Sequence, residues 1–341
     1  MYVPPADLSD ALVADALLRG WGIRCGRIAY AAVGYGSHHW TVTTPGGARY
    51  FVTADALGAD GERLAVLRAA MTTAISLRDR AGLEFVVAPI PARDGQPLTV
   101  VAGQDRGADR APSGGYAVTV FPHLDAAEWP ADGPPGPALT MLARLHAATP
   151  VAEQHARRDD LAIQARPDLA AALESLDGGW DAGPFSAGCR ELLAATATEL
   201  RHRLAAYDRL ATACRRGAQP WVITHGEPKP DNMLRTAGGP ALIDWDTVLL
   251  APAARDLWWL TGSPSGAVDR MVVQDYRRRT GREVPLDDLE LYRQRWELTD
   301  IALFVRLLRH PHRRDADTEI AWAALQGYLG APLPGVDGRP I

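Results

Sequence analysis

The sequence predicts an α+β fold in two lobes, a small antiparallel β-rich front part and a larger, mostly helical remainder. Three observations lead there. Alternating strand-like runs crowd the first third, helical periodicity dominates beyond Leu124, and a Pro/Gly-rich punctuation, WPADGPPGPA, stands between the two. At 341 residues the chain is long enough for a large core, and its 47% hydrophobic and 23% charged content is ordinary for a globular protein.

The elements follow in chain order. Asp7 or Ser9 caps a short amphipathic helix that runs through Leu18 and ends at Gly20 to Gly22. RCGRIAYAAV, HHWTVTTP and ARYFVTAD read as three strands, joined by the turn chemistry of GYGS and PGG. Glu62 to Arg80 carries an apolar stripe at helical spacing, from Leu64 and Leu67 to Ile75 and Leu77. FVVAPI, PLTVVA and YAVTVFPHL are read as further strands, the last two separated by a polar loop from Gly103 to Gly115. Helices are then expected at Leu139–Ala148, Leu161–Leu176 and Arg190–Ala213, and one β interruption, WVIT and later ALID, breaks the helical part.

A formal charge of -5 argues against a nucleic-acid binder that works by neutralising phosphates. Cys25, Cys189 and Cys214 are widely spaced, with no CxxC, so neither a disulfide framework nor a zinc site is indicated. The first residues lack a basic stretch followed by an apolar run, so no export signal or membrane association is expected and a reducing cytoplasm is the simplest setting.

The chemistry concentrates in WVITHGEPKPDNMLRT, residues 221–236. The chain has 36 Lys and Arg residues, and its single lysine, Lys229, is here. Arginine replaces lysine wherever a solvated charge suffices, so a lone lysine points to a need for a compact ammonium. Around it stand a carboxylate, Glu227, and an amide, Asn232, and the second strand end brings Asp244 and Asp246. These are the groups that phosphoryl transfer requires: a carboxylate to orient a hydroxyl and take its proton, a cation for the developing charge, and hard oxygen ligands for magnesium.

The pattern HGEPKPDN followed by IDWD resembles the H-G-D-x-x-x-x-N loop and magnesium motif of aminoglycoside phosphotransferases and related antibiotic kinases, which share a protein-kinase-like fold; the likeness is to spectinomycin- or capuramycin-phosphotransferase-type members. YAVTVFPHL is similar to the family's linker, which places a hinge at about 119–124 between a nucleotide-binding lobe, 1–122, and a catalytic and substrate-binding lobe, 123–341. MLARLHAAT resembles the helix after the linker, and PAARDLWWL the segment with a buried structural aspartate, here Asp256. VGYGSHHW is similar to the glycine hairpin over the nucleotide phosphates, which implies roles for Gly34, Gly36, Ser37 and His38.

The resemblance further implies that Glu227 is the base, that Lys229 lies against the γ-phosphate, and that Asn232 and Asp244 bind Mg2+, with Asp246 a second metal contact or a solvated neighbour. His225 is expected to brace the backbone, and Val120 and Pro122 belong to the linker that reads the base of ATP or GTP mainly through main-chain groups. Two departures stand out. The base is Glu where the family has Asp, and no lysine exists on the strand that normally contacts the α- and β-phosphates. Thr53 or a neighbour occupies that strand, so an arginine of the next helix, Arg63 or Arg68, has to substitute, and Glu62 becomes a first-turn helix acid.

The implied activity is transfer of a γ-phosphate to a hydroxyl of an aminoglycoside, aminocyclitol or nucleoside antibiotic, giving resistance by a monomer or homodimer. A nucleotide-binding pseudokinase and a choline- or sugar-type metabolic kinase are the other readings. For the acceptor, RQRWELTDIALFV places Trp296, Glu297 and Asp300 within about one helical turn, and a packed helix with a solvated acidic edge is an equally good account of them.

Overall fold

The computed structural model describes residues 1–34, 36–58, 61–103, 114–130, 135–261 and 270–330. In chain order the elements are α1 (Asp10–Trp21), β1 (Arg27–Ala31), β2 (His38–Thr43), β3 (Arg49–Ala56), α2 (Glu62–Asp79), β4 (Thr99–Val101), β5 (Tyr116–Pro122), β6 (Ala126–Glu128), α3 (Gly136–Ala147) and α4 (Thr149–Ala152). Then come α5 (Arg166–Glu174), α6 (Ser186–Arg216), β7 (Val222–Thr224), β8 (Met233–Thr236), β9 (Gly239–Leu242), β10 (Leu249–Ala251), α7 (Ala254–Leu257), α8 (Arg270–Thr280), α9 (Leu286–Arg309) and α10 (Ala316–Leu329). The chain divides into two compact units, residues 1–159 with 219–284, and residues 160–218 with 285–341.

The first unit is organised on a five-stranded antiparallel sheet of order β1-β2-β3-β5-β4. Its register pairs Trp40 with Val52 and Val52 with Val120, so the period-two alternation sends Trp40, Val42, Val52, Ala54, Val118 and Val120 to one face. There they pack with Val13, Ala16 and Leu17 of α1. Of the two expected caps, Asp7 and Ser9, it is Ser9 that accepts the Leu12 N–H, and the helix runs three residues past Leu18 to end at Gly22 in the left-handed conformation. The Trp40 indole donates to Asp10 Oδ1 at 2.7 Å, so the largest buried side chain of this face has its polar atom satisfied. The opposite face, carrying Thr53, Asp55, Ala117 and Thr119, is met by α2 through Leu64 and Leu67.

FVVAPI is not a strand. Val86 makes one isolated bridge to Leu242, Val87 N–H donates to Leu242 O, Ile90 N–H donates to Val120 O, and Pro89 between them has no N–H to extend a ladder. The segment runs as an extended connector, with Phe85, Val86 and Ala88 buried. A small sheet, β6-β8-β9, and the β7-β10 pair carry the two loops of interest. The α2 helix packs against the short turn Trp245–Thr247, so its first residues approach the loop after β9.

The second unit is a helical cluster in which α5, α6 and α10 all pack on α9. Leu298, Ile301, Ala302, Val305 and Leu308 of α9 are buried at helical spacing. A capping box between Asp315 and Thr318 starts α10. The three cysteines are thiols. No helix among the described residues is long and apolar enough to cross a membrane.

Candidate active site

The loop after β7 is pinned along its first three residues, His225 to Glu227. His225 N–H and Gly226 N–H donate to the two carboxylate oxygens of Asp256, at 3.0 and 2.6 Å. Thr247 Oγ1 donates to His225 O at 2.8 Å, and the Trp259 indole to Gly226 O at 2.8 Å. Glu227 N–H donates to His225 Nδ1 at 3.2 Å, and Asn232 Nδ2 to Glu227 O at 2.9 Å. Every backbone polar group from the His225 N–H to the Glu227 carbonyl therefore has a partner, and the loop is a fixed platform.

Gly226 is required here by its own backbone and by its neighbour. Its φ is +103°, and a Cβ would fall 2.3 Å from the guanidinium of Arg255, which is held by Thr224 Oγ1 and Thr247 O. Asp256, itself wholly buried, is held from behind. His146 Nε2 lies 3.0 Å from its Oδ2, and His146 Nδ1 lies 2.6 Å from the Tyr276 hydroxyl. Both ring nitrogens of His146 are thereby engaged, one by the Tyr276 hydroxyl and the other by the carboxylate. Burial raises the Asp256 pKa, but the His146 hydrogen bond and the nearby Arg255 charge outweigh it and hold the carboxyl below its ordinary value.

On this platform the charged groups converge. Lys229 Nζ is 3.6 Å from Glu227 Oε2. Arg63 Nη2 is 2.8 Å from Asp55 Oδ1 and 3.0 Å from Asp246 Oδ2, and Ser37 of the glycine hairpin donates to the same Asp55 oxygen at 2.8 Å. Asp244 sits in the left-handed region at φ 66°, ahead of the turn whose Trp245 is buried edge-on against His225. The Asp244 side chain keeps contact with solvent, yet protein crowds round it on the other sides, and this desolvation, together with Asp246, Glu227 and Asp55, lifts its pKa well above the ordinary carboxylate value. Burial likewise raises Glu227, with Asp246 adding to the shift and Lys229 opposing it.

Four carboxylates, Asp55, Glu227, Asp244 and Asp246, thus gather round Lys229 and Arg63, with Arg255 near Glu227, an excess of negative charge. That imbalance suits a divalent cation, and the donor set is one of hard oxygens. Asn232 spends its amide nitrogen on Glu227 O, which leaves the amide oxygen available as a further hard donor. No group of three or more His, Cys, Asp or Glu side chains forms a preformed cage among the described residues. A magnesium held by one or two protein oxygens and completed by phosphates needs none.

A family model for the phosphotransferase enzyme family (APH) matches residues 32–289. The chain belongs to that family. Protein StrN of Streptomyces griseus is 30% identical to this phosphotransferase over 271 residues, 75% of each chain. Among solved structures, a spectinomycin phosphotransferase in complex with ADP and spectinomycin superposes with a TM-score of 0.67 at 14% identity, covering 93% of both chains. The amicoumacin kinase hAmiN in complex with AMP-PNP and Ca2+ gives 0.61 at 12% identity, covering 95% of this chain and 94% of that one. The antiparallel β-rich front and helical remainder are therefore those of the protein-kinase-like phosphotransferase fold.

The residues singled out in the sequence of this phosphotransferase fall into three groups. Glu227, Lys229, Asp244 and Asp246 are brought together, and Asn232 is bonded to their loop. Of the glycine hairpin, Gly34 and Gly36 have φ of +67° and +98°, Ser37 reaches Asp55, and Tyr35 lies outside the described residues. His38 does not join them: its Nδ1 lies 3.0 Å from the Tyr30 hydroxyl and its ring sits among Tyr30, Trp40 and Tyr116 on the α1 face of the sheet. Val120 is also turned into that core, because residue 120 has the opposite strand parity to Thr53, whereas Pro122 is exposed at the end of β5.

Trp296, Glu297 and Asp300 belong to the second unit. Glu297 pairs with Arg203 and Arg293, and Asp300 accepts from the Tyr328 hydroxyl at 2.7 Å, so both carboxylates have partners within that unit. Glu62 is exposed on the first turn of α2, 3.6 Å from Arg157. Sequence reasoning missed Asp55, Arg255, His146 and Tyr276. For Asp55 a signal existed: a carboxylate in an otherwise apolar strand is buried only when paired.

His225 also carries a pH expectation. Burial, the largest influence, lowers its pKa from 6.5 to about 4. Because the unfolded ring is the stronger proton binder, it contributes stability above pH 6.5 that is lost as pH falls toward 4, on the order of 2 kcal/mol between pH 6.5 and 5. Asp55 and Asp244, raised above 3.8, act in the opposite sense, so total stability does not isolate it. The ring's own titration does. We expect NMR to show the His225 imidazole neutral at pH 5 with a midpoint near 4, and a midpoint near 6.5 would contradict the assigned brace.

Proposed function

We propose that this phosphotransferase moves the γ-phosphate of a nucleoside triphosphate, ATP or GTP, to a hydroxyl of a small-molecule antibiotic, with magnesium as its cation. The observation that carries the reading is the convergence of Glu227, Lys229, Asp244 and Asp246 round a loop whose backbone is hydrogen-bonded throughout residues 225–227. Antibiotic acceptors are supported by the solved neighbours named for spectinomycin and amicoumacin, an argument from fold alone. In this reading residues 1–122 bind the nucleotide, main-chain groups near 119–124 meet its base, and the product is an inactivated drug in a cytoplasmic setting.

Each residue then has a chemical task. Glu227 accepts the proton of the acceptor hydroxyl as its oxygen attacks, and the burial that raises its proton affinity makes it a better base than a solvated carboxylate. Its extra methylene relative to aspartate is accommodated by a loop stiffened by Pro228 and Pro230, the latter opening a short helical turn to Asn232. Lys229 sets its ammonium against the transferring phosphoryl oxygens, where charge accumulates, and its neighbour Trp259, with the ring centroid 6.0 Å away, limits where the chain can swing. Asn232, Asp244 and Asp246 would hold the magnesium, which when bound neutralises phosphate charge.

The deciding experiment is an acceptor screen with both nucleotides, reading the mass increase of one phosphate on aminoglycosides, aminocyclitols, nucleoside antibiotics, choline and sugars. Tight magnesium-dependent nucleotide binding without transfer to any acceptor would instead make this a sensor. Lys229→Arg should lower kcat at least about tenfold while nucleotide affinity changes less than about threefold, because the contact strengthens only as phosphoryl charge shifts. Full turnover by that variant would remove the special role given to the lone lysine.

A further inference from the structure

A strand–helix ion pair of this protein has the opposite polarity to the one that organises a kinase nucleotide site. In protein kinases a lysine on the third strand contacts the phosphates and is held by a glutamate of the following helix. Here the strand residue is an acid, Asp55 on β3, and the helix residue is a base, Arg63 in the first turn of α2. The helix dipole disfavours a cation at that end, so Arg63 is placed against local preference. Two carboxylates, one of them buried, hold it there.

The two bonds of Arg63 are not equivalent. Asp55 has a side chain only 5% exposed and is tied as well to Ser37 of the glycine hairpin, so its bond is a fixed anchor. Asp246 is 21% exposed and is a candidate cation ligand, so its bond to Arg63 is the exchangeable one. Both bonds leave from the same terminal nitrogen, Nη2, and 38% of the Arg63 side chain is exposed. A guanidinium has further N–H groups in a fixed plane, suited to gripping phosphate oxygens while one corner stays anchored.

Building on the proposed nucleotide reading, we infer that Arg63 takes the place of the absent strand lysine: it binds the α- and β-phosphates of the donor, with Asp55 as its anchor and Asp246 as the partner it exchanges for phosphate. Ser37, Asp55, Arg63 and Asp246 come from four separate segments, so one arginine joins the hairpin, the strand, the helix and the loop after β9.

The test is nucleotide binding by the full chain in EDTA, measured by calorimetry with ADP and GDP against adenosine and guanosine. The double variant Asp55→Asn/Arg63→Gln removes both charges without leaving Asp55 buried and unpaired, and circular dichroism checks its fold. It should bind the diphosphates at least about tenfold more weakly, the loss expected for hydrogen bonds to a charged group, and the nucleosides unchanged. Asp55→Lys/Arg63→Glu, which restores the usual polarity, should recover most of the diphosphate affinity.

Unchanged diphosphate affinity in the neutral pair, or equal loss for diphosphates and nucleosides, would overturn the role of Arg63. A swapped pair no better than the neutral one would overturn the inverted polarity. If the wild-type chain transfers phosphate while the neutral pair binds diphosphates normally, this inference alone fails. If it binds no nucleotide with or without magnesium, the proposed function fails first and this inference with it.

Discussion

Replacing Asp244 by alanine is expected to lower phosphoryl transfer by about 10³-fold or more, the scale on which a single preorganised electrostatic group counts in a reaction of this type. Glu227→Ala should cost about 10²- to 10⁴-fold, the range for loss of a general base, which is the role proposed for it, and Asn232→Ala should also abolish useful turnover. What distinguishes Asp244 is the direction of its effect on the metal-free fold. Its charge is resisted by desolvation and by Asp246, Glu227 and Asp55, so removing it relieves repulsion and does not break a bond. Asp244→Asn, whose side chain tolerates the left-handed backbone at φ 66°, should melt at the wild-type temperature or above it without added metal. Adding magnesium should raise the wild-type melting temperature and leave that of Asp244→Asn nearly unmoved. A variant that loses activity together with stability would show that Asp244 is structural. One that keeps turnover would remove it from the reaction.

The opposite pattern is expected at Asp256. Asp256→Ala orphans three buried donors at once, the N–H groups of His225 and Gly226 and the His146 ring nitrogen. Breaking a buried, fully hydrogen-bonded charge network in this way costs about 3–5 kcal/mol. Asp256→Asn does not rescue it, since an amide presents two donors where only acceptors fit. The activity of whatever fraction remains folded should fall in kcat, because the platform that aims Glu227 loosens and about an ångström of misplacement costs roughly 10²-fold. Denaturant titration showing a loss under about 1 kcal/mol would mean that water or the backbone replaces the carboxylate and that the loop is held by other contacts.

How much was legible follows from how far each feature reaches along the chain. The loop carrying Glu227, Lys229 and Asn232 spans only a few residues, and its chemistry is visible in residue types at short spacing. Helix α2 was found almost to the residue because its stripe is local, and α1 because Ser9 and Gly22 mark its ends. FVVAPI misled because an apolar, β-branched run looks the same whether its hydrogen bonds form a ladder or, as here, scatter to Leu242 and Val120. His38 was assigned by motif position, without regard to strand parity, and parity sent its ring to the α1 face.

By itself, then, the sequence determined the division into a β-rich front and helical remainder, the family motif, and the placement of the only lysine between Glu227 and Asn232. Tertiary structure decided who holds what. Arg63 meets Asp246 across 183 residues, and His146 meets Tyr276 and Asp256 across 130 and 110. The reason is physical: periodicity and caps are properties of neighbouring residues, whereas the partner of a charge is whichever opposite group the packed core carries to it. Only folding brings α2 against the turn after β9 and makes one arginine answer to two carboxylates.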